Sequence, residues 1–243
     1  MRYLRFVYDV PAMIALDGTE KYLVIGDLHI GMERKLHERG VHIDATERLS
    51  DRILRLVREF SADKVIMLGD IKESVLYPDV AEARLIRSFF ERLAGVDVEV
   101  IAGNHDAHLQ ELISNRISRE LIIGRFAFLH GDKKPSEEAM LCDYLITAHS
   151  HTAVRITDKN GAVYEEKAWV VAGVKESAAE RIYTRFNRRI KLIIAPAFND
   201  LIMGTLIGDG LKTHNQLFRS GLFDYGRAKV YTLDGSIVNS AVT

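Results

Sequence analysis

The sequence contains little cysteine and little proline. It has one cysteine, Cys142, and only four prolines in 243 residues. A single cysteine forms neither an internal disulfide nor a cysteine-rich zinc site, so we expect a protein of a reducing compartment, the cytoplasm. Any metal must then be held by imidazole nitrogens and oxygen ligands, and the nine histidines make such a site conceivable.

Long apolar runs and a strong net charge are also missing. No stretch reaches the roughly 18 apolar residues that a membrane span requires, and charges and Pro11 interrupt the first 15 residues, which argues against a signal peptide. We therefore expect no membrane association. The 33 basic and 34 acidic side chains argue against a general nucleic-acid coat but not against a local basic patch. Without repeats or linkers, residues 1–243 are predicted to form a single domain.

Apolar and amphipathic segments alternate along the first half of the chain. Helical periodicity predicts helices over 78–93 and from Asp44, where Asp44 and Glu47 have the spacing of a capping box. Strand-like segments dominate from residue 125 to a final hairpin turned at Asp234-Gly235. Three apolar runs without polar alternation are typical of strands buried on both faces: 22–25, 64–68 and 96–101. The pattern predicts a βαβαβ half followed by a mainly β half.

Polar residues that can bind a metal follow five predicted strands at the point where each strand ends. Because ligands of open α/β sheets lie at the carboxyl ends of strands, we expect these side chains at one rim. In Asp27-x-His29 and His149-x-His151, side chains two positions apart would point the same way on an extended backbone. The candidates are Asp27, His29, Asp70, Asn104, His105, Asp106, His130, His149 and His151.

This set of ligand types has a definite chemistry. Carboxylate, amide and imidazole groups suit Mn, Fe, Zn or similar ions. Seven ligands exceed the needs of one ion but suit two that share a carboxylate. Two ions about 3.5–4 Å apart hold a hydroxide between them and clamp both oxygens of an in-line phosphoryl displacement. A histidine that is not a ligand can protonate the leaving oxygen. The alternative is a chance cluster of turn-forming residues.

The motifs also resemble those of a known family. In order, GDLH (26–29), GD (69–70), GNHD (103–106), HGD (130–132) and AHSH (148–151) are similar to the five motifs of the calcineurin-like metallophosphoesterase superfamily. Pro196-Ala-Phe-Asn199 further resembles a segment of small prokaryotic members related to DNA-repair exonucleases and DNA-ligase-associated phosphoesterases. The resemblance implies an α/β fold, a four-layer αββα sandwich of two mixed sheets flanked by helices, with the metal site at the strand ends.

The resemblance implies a role for each site residue. One ion would be held by Asp27, His29, Asp70 and His151. The other would be held by Asp70, Asn104, His130 and His149, so that Asp70 bridges. His105 would be the acid that protonates the leaving group, and Asp106 would orient it. Both ions would be divalent, with Mn²⁺ favoured and Fe, Zn or Ni as alternatives.

Two positions depart from the family pattern. The last motif begins with Ala148 where the family usually has glycine, which preserves the turn if the backbone there does not need a positive φ. Lys72 stands two residues after Asp70, where it could contact a substrate phosphate. The other candidate substrate-binding residues are Arg34, His108 and Lys133, for which solvated loop charge is the alternative.

A run of five cations lies late in the chain: Arg181, Arg185, Arg188, Arg189 and Lys191. On a strand, alternation would gather four of them on one face, which could contact nucleic acid. We favour the other interpretation, an exposed strand face or an edge protected by charge.

Together these features predict a cytoplasmic, metal-dependent hydrolase of phosphoric ester bonds. We favour a phosphodiesterase in which a hydroxide bridging two metals attacks in line and His105 is the general acid. Its substrates could be nucleotides or nucleic acid, and its partners a DNA-repair protein or a second copy of the chain. A phosphomonoesterase, a nuclease and a non-catalytic binding scaffold of the same fold stay open as alternatives.

Overall fold

The computed structural model describes residues 2–202, 204–208, 211 and 215–238. Within them, six strands form a first sheet, antiparallel from β1 to β3 and parallel from β3 to β6. In spatial order they are β1 (Arg2–Phe6), β2 (Met13–Asp17), β3 (Glu20–Ile25), β4 (Lys64–Met67), β5 (Val98–Ile101) and β6 (Arg116–Ser118).

The second sheet is also mixed and follows the first along the chain. Its described strands are β7 (Glu120–Ile123), β8 (Phe126–Leu129), β9 (Tyr144–Thr147), β10 (Thr152–Thr157), β11 (Val163–Gly173), β12 (Lys191–Ile194), β13 (Thr205–Leu206), β14 (Lys229–Thr232) and β15 (Ile237–Val238). The spatial order is β13-β10-β11-β12-β9-β8-β7, with β14 pairing with β11 and β15. Strands β8, β9 and β12 are parallel to one another.

Helices cover the outer face of each sheet. The first sheet is covered by the longer ones, since α2 and α3 pack on it, while α4 to α6 lie against the second. Their bounds are α1 (Met32–His37), α2 (Ala45–Phe60), α3 (Val80–Arg92), α4 (Glu137–Met140), α5 (Glu176–Ala179) and α6 (Gln216–Arg219). None of the helices in these described ranges is long and apolar enough to cross a membrane.

The uninterrupted apolar strands divide their side chains between two cores. In β3, Leu23 and Ile25 face the helices of the first sheet, whereas Tyr22 and Val24 face the second sheet. The same alternation puts Phe128 in the core between the sheets. Strands buried on both faces have no polar alternation, which explains the sequence pattern. The two cores and the core under α4 to α6 make the four-layer αββα sandwich that the resemblance implied, so that prediction is confirmed. The single-domain organisation stays a prediction.

Both sheets deliver their strand ends to one edge of the sandwich. Parallel strands β3, β4 and β5 end there, and main-chain hydrogen bonds tie the loops that follow them. The N–H of Asp27 donates to the carbonyl of Gly69 at 3.1 Å, and that of His29 to Asp70 at 2.9 Å. In the second sheet the N–H of Ala148 donates to the carbonyl of His130 at 2.8 Å. The strand-end loops are therefore fastened to one another, as the rim prediction requires.

The starts of two helices differ from the sequence prediction. Asp44 precedes α2 but its side chain makes no capping hydrogen bond, so the predicted capping box is wrong. The buried carboxylate of Glu33 instead accepts from the N–H of Thr46 at 3.1 Å. Helix α3 begins at Val80 rather than at residue 78, because the Asp79 side chain accepts from the second and third N–H groups of the helix.

The second half contains one further correction. Residues 181–190 form turns and irregular chain rather than a strand, since β12 begins only at Lys191. Arg185 pairs with Glu137, and Arg188 pairs with Glu176 and Glu180, so part of the cation run is neutralised. The final hairpin at Asp234-Gly235 is confirmed by the pairing of β14 with β15.

A close contact between Gly26 and Ala148 joins the two sheets at the loop edge. A Cβ on Gly26 would lie 2.6 Å from the Cβ of Ala148 and 3.1 Å from that of Leu68. Ala148 is fully buried and is not among the residues with positive φ. The turn therefore does not need the glycine that the family usually has there. The alanine in the last motif therefore fits because residue 26 has no side chain.

We expect Gly26→Ala to lower the free energy of unfolding by about 1–3 kcal/mol through this steric overlap. The double variant Gly26→Ala/Ala148→Gly should recover most of the loss, because the methyl group changes sides. Chemical denaturation measures all three proteins. Gly95→Ala is the control, since a Cβ there meets no atom within 4 Å. A double variant no more stable than Gly26→Ala would contradict this account.

Candidate metal centre

Left-handed backbone conformations set the directions of the predicted ligands. Asp27, His29, Asp70, His149 and His151 have φ values of 55°, 43°, 50°, 68° and 44°. Non-glycine residues rarely adopt this region, which costs about 1 kcal/mol or more each and persists where the surroundings enforce it. The pairs Asp27/His29 and His149/His151 therefore do not lie on extended backbone. The prediction that an extended backbone points both side chains of each pair the same way is wrong. Sharp loops rather than strand pleating turn these side chains inward.

The first group of candidate ligands contains the four residues that the resemblance assigned to one ion. The ligand atoms of Asp27, His29, Asp70 and His151 all lie within 4.8 Å of one another. Nε2 of His29 is 3.2 Å from Nε2 of His151 and 3.6 Å from Oδ2 of Asp70. Asp27, His29 and Asp70 are buried, so this group is closed to bulk water on most sides.

The second group consists of Asp70, His130 and His149, with Asn104 beside it. Nε2 of His130 lies 3.3 Å from Oδ2 of Asp70, 2.9 Å from Nδ1 of His149 and 3.2 Å from Oδ1 of Asn104. The other ring nitrogen of His130 lies 2.7 Å from the carbonyl of Leu68, to which it donates. That bond leaves Nε2 directed at the group. His149 and His151, though two residues apart, belong to different groups, and Asp70 belongs to both.

The shared carboxylate dominates the electrostatics. Burial alone would raise the pKa of Asp70, but the hydrogen bond and positive charge of His130 hold it well below its usual range. Burial disfavours the charged form of His130, yet the same contact with Asp70 raises its pKa to about 9. Burial, reinforced by neighbouring histidines, lowers the pKa of His149 to about 4 and that of His151 to about 3. These two imidazoles are neutral at pH 7, the form that binds a metal.

Asp27 shows that the group suits a cation. Its side chain is fully buried, and burial raises its pKa to about 7 despite the nearby charges of His130 and His29. Its Oδ1 accepts from the N–H of His149 at 3.1 Å, whereas its Oδ2 has no hydrogen-bond partner among the described residues. A buried oxygen without a donor is unfavourable unless a cation satisfies it. The donor set, carboxylate and imidazole, fits a first-row divalent ion.

His105 lies at the edge of the first group. Its ring centre is 4.9 Å from that of His29, and its Nδ1 lies 2.7 Å from the main-chain carbonyl of Glu73. The resemblance implied that Asp106 orients His105, but the carbonyl of Glu73 is the partner of its Nδ1. Oxygens of Asp106 accept instead from the N–H groups of Ile71 and Gly103, each at 2.8 Å. Asp106 thus ties two loops together, while Glu73 orients His105.

Glu73 is the residue that sequence reasoning missed. Its Oε2 lies 3.0 Å from Nδ1 of His29, and its Oε1 pairs with Lys35. Burial favours the neutral form of this carboxyl, but its bonds to His29 and Lys35 favour the charged form and lower the pKa of Glu73 to about 2. A carboxylate on the far nitrogen of a metal-binding histidine fixes the ring and its tautomer. The signal in the sequence was an acid in the loop after Asp70 that had been given no role.

The four candidate substrate-binding residues lie in different environments. Lys72 is fully buried, and its ammonium donates to the carbonyls of Ser74 and, at 2.6 Å, Leu76, so it organises its own loop. The other three are at least partly exposed. Arg34 pairs with Asp79 at 2.6 Å, His108 with Glu111 at 2.8 Å, and Lys133 with Asp132 at 3.5 Å. Lys133 and His130 line one cavity of about 330 Å³.

The segment Pro196-Ala-Phe-Asn199 supports the first group from outside. The side-chain amide of Asn199 donates to the carbonyl of Leu28 at 2.7 Å, between two candidate ligands. The ammonium of Lys167 donates to the carbonyls of Ala197 and Asn199, each at 2.7 Å. Burial lowers the pKa of Lys167 to about 8. The segment that the resemblance singled out is therefore fastened to the loop of Asp27 and His29.

The fold is similar to that of a solved nuclease structure. Nuclease MPE from Pseudomonas putida is 15% identical with a TM-score of 0.59, over 98% of this chain and 100% of that one. A phosphoesterase from E. coli, YfcE, is 18% identical with a TM-score of 0.36, over 56% of this chain and 73% of that one. A predicted phosphoesterase from Streptococcus pneumoniae is 13% identical with a TM-score of 0.34, over 93% and 96%. No curated protein matches the sequence.

The family comparison covers more than half of the chain. The model of the calcineurin-like phosphoesterase family matches residues 20–174, a range that contains every candidate ligand and His105. The resemblance drawn from the five motifs is thereby confirmed. The chain belongs to the calcineurin-like phosphoesterase family and is a hydrolase that acts on phosphoester bonds.

Proposed function

We propose that the chain is a metal-dependent phosphodiesterase with two divalent ions, Mn²⁺ the favoured metal. Asp27, His29, Asp70 and His151 would hold one ion, and Asp70, Asn104, His130 and His149 the other. The observation that carries the proposal is the convergence of these side chains into two groups that share one buried carboxylate, with His105 alongside.

The ions, when bound, supply positive charge that stabilises the phosphoryl oxygens and lower the pKa of water. The protein's own residues position the substrate's leaving group and supply its proton. The Nδ1–H of His105 donates a hydrogen bond to the main-chain carbonyl of Glu73. Nε2 is therefore the atom that gives its proton to the leaving oxygen. Glu73 also fixes the ring of His29 through its carboxylate, and the loop of residues 103–106 is held by Asp106.

The charges around the site favour a diester over a monoester. A monoester carries a second negative charge at neutral pH, which needs an additional cation beside the metals. Four of the nearby cations are already engaged, Lys72 with main-chain carbonyls and Arg34, Lys35 and Lys133 with carboxylates. A singly charged diester makes no such demand, and this supports the phosphodiesterase assignment.

A comparison of two aryl esters tests the function. With Mn²⁺, we expect kcat/KM for bis(p-nitrophenyl) phosphate to exceed that for p-nitrophenyl phosphate by about tenfold or more. Asp70→Asn should lose both ions by metal analysis, because both groups share this carboxylate, and its rate should fall by about 100-fold or more. A preference for the monoester would instead make the chain a phosphomonoesterase. A wild-type protein without metal and without turnover would make it a binding scaffold.

His105→Gln should separate the acid from the metal site. We expect the variant to keep its metals and to lose about 10²–10⁴-fold in kcat, since the leaving oxygen then departs without a proton. The loss should be smaller for an ester with a good leaving group such as p-nitrophenolate than for an alkyl ester. His42→Ala, an exposed histidine on another loop, is the control. Equal losses with both esters would show that His105 is not the acid.

Metal binding should release protons. At pH 7 Asp27, with a pKa of about 7, is half protonated, and His130, with a pKa of about 9, is fully protonated. Both must lose a proton to become ligands, so binding should release about one to two protons per protein, and affinity should rise from pH 6 to pH 9. Calorimetry in two buffers of different ionisation enthalpy measures the number. An affinity that does not change with pH would contradict these protonation states.

A further inference from the structure

A groove of about 660 Å³ runs between α2 and the segment 199–201. Four arginines of α2 line it: Arg48, Arg52, Arg55 and Arg58. They recur at intervals of three and four residues, so they share one face of the helix. From Arg48 to Arg58 this face extends about 15 Å, at 1.5 Å per residue. The two carboxylates that line the same groove are Asp51 and Asp200.

Three of the four arginines are free to bind an anion. Arg48, Arg55 and Arg58 are exposed, and no ion pair or side-chain hydrogen bond engages them within the described residues. Arg52 is half-buried, bonds to Asp200 at 3.1 Å and lies over the ring of Phe198 at 4.7 Å. Both groove carboxylates are already paired, since Asp51 also binds Arg92 at 2.6 Å. The groove therefore has an uncompensated positive charge on a chain of formal charge −1.

One wall of the groove is hydrogen-bonded to a loop of the candidate metal centre, although none of the candidate ligands lines the groove itself. Asn199 lines it and donates its side-chain amide to Leu28, the residue between Asp27 and His29. The N–H of Phe198 donates to the carbonyl of Gly26 at 2.9 Å, one residue before Asp27. The wall of the groove is thus hydrogen-bonded to the loop that carries two candidate ligands. Its other wall is α2, which comes after α1 along the chain.

We propose that this groove binds the phosphate backbone of a nucleic-acid strand whose reacting phosphodiester lies at the metal centre. The inference rests on the proposed phosphodiesterase function and names its substrate class. Guanidinium groups bind phosphates bidentately, and a row of them along a helix face matches a row of phosphates. The late cation run is a poorer candidate, because Arg185 and Arg188 are paired with carboxylates.

Binding of a labelled single-stranded oligonucleotide tests the groove. Wild type, Arg48→Gln/Arg55→Gln and the control Arg181→Gln/Arg189→Gln are titrated by fluorescence anisotropy, with Ca²⁺ in place of Mn²⁺ to slow turnover. The control removes the same charge from exposed arginines elsewhere. We expect Kd to rise about tenfold in the groove variant, and the slope of log K against log salt to become shallower by about 1.4 for two arginines. The control should change by less than about twofold.

Kinetics with Mn²⁺ provide the second readout. The ratio of kcat/KM for the oligonucleotide to that for bis(p-nitrophenyl) phosphate should fall about tenfold in the groove variant and stay constant in the control. Equal effects in both variants, or no effect in either, would overturn the proposal, as would a wild-type protein that does not bind the oligonucleotide. Each of these results leaves the phosphodiesterase assignment intact if the aryl diester is hydrolysed. Loss of that activity in wild type would remove the assignment itself.

Discussion

The buried carboxylate of Asp70 is the feature on which the rest of the site depends. Removing a carboxylate from water is costly unless positive charge and hydrogen bonds replace the lost hydration. Asp70 obtains both from the loops around it, through His130 and the N–H of His105 at 2.9 Å. Asp27 lacks equal compensation and has a raised pKa. The protein thus contains more buried negative charge than its own groups balance when Asp27 is ionised, which is the condition that favours capture of a cation.

The packed layers of the sandwich stabilise the strained loops that carry the candidate ligands. Five candidate ligands keep a left-handed backbone that isolated residues of their type seldom adopt. They keep it because each loop follows a strand buried on both faces and is bonded to the loop beside it. Close approaches between these loops leave no room for side chains, so that a Cβ on Gly103 would lie 2.3 Å from Oδ1 of Asp70. The rigid layers thus hold the side chain of each candidate ligand in one direction.

The apolar strands and the polar residues that follow them predicted the rim at the strand ends, whereas the four layers and the two sets of ligands were implied by the family resemblance. The sequence could not predict contacts that depend on where distant loops meet. Asp106 and Lys72 were given roles near the reacting atoms, yet both bind main-chain groups, since neighbouring loops present N–H and carbonyl groups to them. For a similar reason the N–H of Thr46 donates to Glu33, and Asp44 does not cap α2. The arginines of α2 were also overlooked, because only the fold shows which of them find a carboxylate.

Glu73 holds His29 with its side chain and His105 with its main chain. Every amino acid supplies a carbonyl, but few supply a carboxylate of this length. A change of residue type at position 73 would therefore remove the support of the His29 ring, while His105 would keep its main-chain partner. Movement of the loop, by contrast, displaces both histidines together. Substitution at this one position can therefore change the support of one histidine separately from that of the other, whereas a shift of the chain cannot.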